Sequence, residues 1–352
     1  MQKFLLSLIF ILWSFAGFSQ SFQQNKNIKG LNLPSNHVLS LSQDDVGRIW
    51  VSTAKGVFYS DGITTYTLPD SIHQILQSRP QTYIDKEGII YAYNTERIKN
   101  IYFYKDNLWS VLNIPDFITE KNINIGKVSI AVEYVEGIKK LFLNVPGYIG
   151  IYEFDAKKWD YKAYDKTALG DFTSQFQAGD STYFYFEKII LKLYKGEFSS
   201  EENWDELLEG PVYKVERYES DSNYYFLGYG KLAKGKKRNG PEEIIHQDFA
   251  QPKYGNHHYF DLKIKDDKVF YYFNSHLYRH SSIDRVPLLI STEEHLRIYL
   301  IQALLVDRED IIWIGSQRGL VNVPTLRFQN FTPKDGLLDN EVTAIYKDAP
   351  QR

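Results

Sequence analysis

The chain has 352 residues with 41 Lys+Arg against 44 Asp+Glu, a formal net charge of −3, so no basic excess points to nucleic acid as a partner. At 43% hydrophobic and 24% charged residues it can bury a sizeable core as one large domain or two ordinary ones, and global disorder is excluded. The absence of cysteine excludes disulfides, thiolate metal sites, lipoprotein acylation and cysteine nucleophiles.

At the start of the chain, Lys3 precedes an apolar run from Phe4 to Phe18. Gly17 and Ser19 then stand as small residues before Gln20. This is the grammar of a secretory signal peptide over residues 1–19. The run, about 15 residues, is shorter than the roughly 20 that span a bilayer, so removal on export is expected rather than anchoring. The mature part is expected to be exported, with no further membrane span.

Aromatic residues make up 16% of the chain, with 27 Tyr, 22 Phe and 6 Trp against a single Met. Such residues favour half-buried strands, which points to an all-β protein. A repeat confirms the direction. Val38 to Val57 carries Asp44, then Trp50 six residues on, then Gly56 after six more. Ile301 to Leu320 carries Asp307, Trp313 and Gly319 at the same spacing. Each copy reads as a strand, an Asp-led tight turn, a strand bearing Trp, and a Gly turn into a third strand.

A weaker copy places Asp85 six residues before Tyr91. Another begins at Leu337-Leu338-Asp339-Asn340 and runs to Asp348. Further strand anchors fall at Phe142, Phe184, Tyr225 and Phe270, so that seven anchors follow one another at 41 to 51 residues. Tyr59, Tyr104, Phe154 and Tyr194 lead into polar turns, and Tyr66, Trp109 and Trp159 follow as aromatics of a fourth strand.

A period of that length with four short strands is the signature of a β-propeller. A blade has two apolar faces and cannot bury them alone, so neighbours must stack round a ring. The expected fold is therefore all-β, a seven-bladed β-propeller of four-stranded antiparallel blades. It would occupy residues 20–332, and residues 333–352 would start a further, truncated repeat.

The wording Asn36-x-Val38, then Asp44-x-x-Gly47-x-Ile49-Trp50-Val51-Ser52-Thr53-x-x-Gly56, resembles the two-component regulator propeller repeat. That family builds the periplasmic sensor region of hybrid histidine kinases common in Bacteroidetes. The resemblance is close over 33–66 and 301–331, partial at 84–93 and 337–348, and without support in wording over roughly 120–295. It implies the first propeller of a longer, inner-membrane-anchored receptor, or a truncated gene product. It also implies a small extracellular ligand such as an oligosaccharide, and pairing of propellers in a homodimer of the full receptor. The sequence contains no phosphorylated His-box, no ATP-binding glycine boxes and no helix-turn-helix segment, so no kinase activity is expected of it.

Catalytic, cofactor and metal candidates are thin. Asp44, Asp85 and Asp307 recur at turns, where a carboxylate accepts backbone N–H bonds, so no catalytic role is assigned to them. Trp50, Tyr91 and Trp313 read as core between blades, and Gly56 and Gly319 as turn glycines. His276 and His280 are four apart, but on a strand that spans roughly 13 Å, too far for one ion. No Gly-x-Ser-x-Gly elbow is present. Two stretches break the period and so are the places for specificity. Gly228 to Gly240 is basic and glycine-rich and reads as a solvated loop. Gln251 to Tyr259 offers Tyr254 for stacking, with Asn256, His257 and His258 for hydroxyl groups, and these are the candidate ligand-binding residues. A secreted propeller enzyme acting on polysaccharide, lyase or glycosidase, is the alternative function, and a non-catalytic protein-interaction propeller is a third.

Overall fold

The structure, a computed structural model, describes residues 21–22, 28, 31–96, 98–116, 128–178, 181–218, 222–236, 240–249, 259–291, 300–324, 326 and 329–330. Seven antiparallel meanders follow one another along the chain. Blades 1 to 6 occupy 38–67, 80–113, 129–163, 172–202, 214–246 and 260–291, each with four strands in sequence order. Blade 7 contributes three strands over 301–323, and the pair Gln329–Asn330 follows it. That pair bonds antiparallel with Ser21–Phe22 from the other end of the chain. This is the expected seven-bladed all-β propeller.

The first strand of each blade lies innermost. Those of blades 1 and 2, 4 and 5, 5 and 6, 6 and 7, and 7 and 1 are direct neighbours. Blades 2 and 3 are tied there by the Tyr83 hydroxyl, which accepts from the Val132 N–H at 3.2 Å.

Seven apolar clusters fill the seven gaps between blades, one each. Trp50 meets Ile90 between blades 1 and 2, and Tyr91 meets Leu141 between 2 and 3. Phe142 meets Phe184 between 3 and 4, and Tyr183 meets Phe226 between 4 and 5. Tyr225 and Tyr271 share the next gap, Phe270 and Ile314 the one after. Trp313 and Val51 close the ring. Burial of large rings between flat sheets is what an isolated blade lacks, so the ring and the aromatic content are one fact.

All seven anchors lie on the second strand of a blade and all are buried. Six face the following blade. Phe184 does not: it packs back onto Phe142, ring centroids 5.6 Å apart, while Tyr183 and Tyr185 face forward. Side chains alternate along a strand, so an anchor placed one residue off lands on the opposite face. A second expectation is also corrected. Residues 228–240 are not one solvated loop, because Lys231–Gly235 is the third strand of blade 5, with Leu232 and Ala233 at 0% exposure.

Two turn glycines have specific reasons. Gly56 (φ +123°) and Gly319 (φ +136°) occupy the left-handed half of backbone space. At Gly56 an added Cβ would also come within 2.5 Å of the His73 ring. Among the described residues no helix is long and apolar enough to cross a membrane. Among the described residues the short helices Asp70–His73 and Lys166–Leu169 lie in connections between blades.

Candidate functional site

The recurring Asp residues are structural, and the structure shows how. Asp307 Oδ1 accepts the N–H groups of Glu309 and Ile311 at 3.0 and 2.8 Å, and Oδ2 accepts the indole N–H of Trp313 at 2.6 Å. Asp44 takes the Arg48 N–H at 2.8 Å and the Trp50 indole at 2.9 Å. Asp85 does the same with Ile89 N–H and the Tyr91 hydroxyl, at 2.9 and 3.0 Å. The six-residue spacing thus carries a carboxylate across its own hairpin to the ring of the next strand. Burial pushes the Asp307 carboxyl above its ordinary pKa, although the Trp313 indole and the Ile311 N–H pull the other way. These groups have their bonding capacity turned inward.

Each clamp is extended by a cation. Arg48 bonds Asp44 through Nε at 2.5 Å and lies over the Trp50, Tyr59 and Tyr104 rings. Lys139 of blade 3 reaches back to Asp85 and Glu87 of blade 2, at 2.9 and 2.8 Å. Lys265 of blade 6 donates to the Asp307 carbonyl of blade 7. The turns therefore bind blade to blade, a role that reading one repeat at a time does not reveal.

Around the axis the first strands carry charge that the repeat wording does not contain. Lys214 of blade 5 pairs with Glu216 and with Asp261 of blade 6, at 3.4 and 3.5 Å, and Lys263 pairs with Asp261 at 3.4 Å. Burial opposes the Lys214 charge, but the carboxylates of Asp261 and Glu216 outweigh it and raise the ammonium pKa. Burial likewise works against Asp261, yet Lys263 and Lys214 hold its carboxyl below the ordinary range. On blade 3, burial pushes the Glu133 carboxyl up, Lys86 at 3.3 Å draws it down, and Glu216 across the axis adds to the rise. The cluster is electrically balanced and self-satisfied, which suits a filled axis better than an acid–base pair.

A small cleft, open to solvent, lies between the facing sheets of blades 4 and 5. Tyr183, Tyr185 and Ile190 form one wall and Val212 and Phe226 the other. Trp204 and Asp205 come from the connection between the blades, and Gly240 and Pro241 close the far side. Of these residues only Gly240, at the end of the Gly228–Gly240 stretch, lies in a segment singled out from sequence, because the connection between the blades carries no motif. Only an isolated Trp outside the strand pattern marked it.

The candidate residues Tyr254, Asn256, His257 and His258 lie outside the described residues. His276 and His280 sit on one strand as expected, and His280 is buried. Among the described residues no group of three or more His, Asp or Glu could hold a metal ion.

With this geometry in view, residues 32–55 match the family described as Two component regulator propeller. A comparison with curated proteins finds no match. Among solved structures the chain is similar to an extracellular domain assigned to a hybrid two component system of B. thetaiotaomicron. That likeness has a TM-score of 0.62 at 15% identity, covering 86% of this chain and 40% of that one. A second such domain from the same organism gives 0.60 at 15%, covering 86% and 42%. Virginiamycin B lyase from Staphylococcus aureus gives 0.56 at 13%, covering 86% and 98%. The chain thus spans about 40% of the length of the extracellular domains it resembles, and at these identities the likeness is one of fold.

Proposed function

We propose that the chain is the ligand-sensing propeller of a two-component-type receptor, working outside the cytoplasm. It would recognise an oligosaccharide or similar small extracellular cue and carry out no chemistry itself. The observation that carries this reading is the regulator-propeller repeat at 32–55, set in a closed seven-bladed ring. The axial charges support it, since Lys214, Glu216, Asp261 and Lys263 neutralise one another. Signalling would come from a shift between two arrangements of paired receptors, which requires a ligand with different affinity for each.

A second reading is favoured by the likeness to virginiamycin B lyase, which covers 98% of that enzyme: a propeller of this size that acts as a polysaccharide lyase or glycosidase. Fold does not choose between them. The deciding experiment is calorimetry of the purified chain against plant and algal oligosaccharides, with chromatography of the products. The sensing reading expects saturable binding without turnover. Steady release of shortened or unsaturated sugars would overturn it in favour of the enzyme.

A further inference from the structure

The first strands of the blades line the axis, and at one depth they carry polar side chains all the way round. Gln81, Ser129, Gln175 and Gln302, from blades 2, 3, 4 and 7, are each half-buried between two buried neighbours on their own strand. Successive side chains point to opposite faces, so these four turn towards the axis, where solvent reaches them. Ser40 of blade 1 is also half-buried. Lys214 and Asp261 complete the circle from blades 5 and 6, their side chains 19% and 24% exposed. The strand registers set all seven at one depth to within a residue.

Deeper along the first strands the axis is crowded. Burial raises the Tyr83 phenol to about 12 against its bond to Val132, and Glu133 and Glu216, from blades 3 and 5, add to the rise. The polar ring is therefore the wall of a cup with a floor, open on the side where the blades are connected. On that side Tyr213 and Phe260, one residue before Lys214 and Asp261, stack on each other at 5.1 Å and 21° and are half-buried.

The wall keeps hydrogen-bonding capacity that the described residues do not use. Asn144 stands opposite Ser129 and is 1% exposed. Its amide nitrogen donates to Gln175 Oε1 at 3.0 Å, which leaves Asn144 Oδ1 and Gln175 Nε2 without a partner among the described residues. Exchanging nitrogen and oxygen in both amides again leaves one acceptor and one donor. Gln302 Oε1 is unpartnered in the same way. Buried polar groups left unpaired cost stability, and an acceptor beside a donor is the complement of a hydroxyl, which donates and accepts. The ionic part of the wall is balanced, but its contacts of 3.4, 3.5 and 3.4 Å exceed the roughly 2.7–2.9 Å of charge-assisted bonds. Lys214 and Asp261 thus retain positions for further hydroxyl groups.

We propose that this cup binds an uncharged sugar residue. Its hydroxyl groups bond the Asn144–Gln175 amide pair, Gln302, and the Lys214–Asp261 pair, and its apolar face lies towards the Tyr213–Phe260 stack. Uronic, sulfated or amino sugars are disfavoured, because Lys214 and Asp261 already neutralise each other and a further charge there would stay uncompensated. The proposal names the place and the ligand class for the sensing reading and rests on it.

The test is calorimetry of the purified chain, Gln302→Leu and Ser129→Ala against cellotetraose, maltotetraose, xylotetraose, β-1,4-galactotetraose, oligogalacturonate and chitosan tetramer. Hydrogen–deuterium exchange then locates the bound sugar. At least one neutral tetrasaccharide should bind tenfold or more tightly than either charged one, and should slow exchange in the first strands of blades 3, 4 and 7. Gln302→Leu should weaken it about tenfold without lowering the melting temperature, since the leucine replaces an amide whose oxygen has no partner. Ser129→Ala, a smaller cut in the same wall, should weaken it about threefold and decides the matter if Gln302→Leu does not fold. A charged sugar that binds as tightly as the best neutral one would overturn the ligand class. A neutral sugar that binds both variants as well as the parent would remove the site while the sensing reading stands. If no sugar of the panel binds, the proposal falls and the oligosaccharide form of the sensing reading falls with it.

Discussion

Trp313 joins two functions that a substitution removes together. Its ring closes the gap between blades 7 and 1, and its indole N–H donates at 2.6 Å to the carboxylate of Asp307, which is only 3% exposed. Trp313→Ala should therefore cost on the order of 3–5 kcal/mol, the range for deleting a large buried aromatic. Trp313→Phe keeps most of the packing but orphans one oxygen of Asp307, and should cost about 1–3 kcal/mol. Denaturant unfolding of the two variants measures both values, and a Trp313→Phe variant as stable as the parent would show that the hydrogen bond contributes nothing. The residue types and their six-residue spacing were legible in the sequence. That the spacing is a bond was not, because it depends on how far the hairpin twists the carboxylate towards the next strand.

At the scale of the element, the outer strand of blade 5 brings a titrating group into an aromatic nest. His246 stacks on Phe249 at 4.7 Å, meets Tyr278 edge-on, and its Nδ1 bonds the Tyr271 hydroxyl at 2.7 Å. Burial, and next the charge of His280, lower its pKa from 6.5 to about 4, against the pull of Asp248. The folded chain therefore binds this proton less readily than the unfolded one. Its contribution to stability is fully present above pH 6.5 and is lost as pH falls from there towards 4. The melting temperature should drop across that window, and His246→Gln should flatten the slope there while retaining a partner for Tyr271. An unchanged slope in the variant would remove His246 as the cause. Strand identity in this region was readable only as rhythm: Tyr225 was placed correctly, but the stretch after Gly228 read as loop. Its glycines and lysines look like solvent-exposed turn, whereas the two buried residues between them, Leu232 and Ala233, are enough to hold a strand once neighbours exist on both sides.

For the whole molecule, closure of the ring is decided where blade 7 meets blade 1. Gly315 of blade 7 lies against Val38, whose Cβ would be 3.0 Å from an added methyl, with Ala303 at 3.2 Å. Gly315→Ala should cost about 1–3 kcal/mol through overpacking. Val38→Ala opens the same space, so the double variant should lose less than the two single losses added together. A strictly additive double-mutant cycle would show that the seam is not as tight as this contact requires.

Amino-acid sequence by itself determined the class, the number of blades, the repeat residues and the hairpin order. These depend on local rules: alternation along a strand, turn chemistry after Asp and before Gly, and a period that forces blades to stack. Only the tertiary structure decided which face Phe184 takes, how Lys139 and Lys265 tie one blade's turn to the next, and that Lys214, Glu216 and Asp261 balance one another at the axis. It alone brings Glu201, Trp204 and Asp205 to one cleft with Pro241. Such contacts join residues that share no repeat position, and their distances follow from the twist and closure of the ring, which no pattern along the chain encodes.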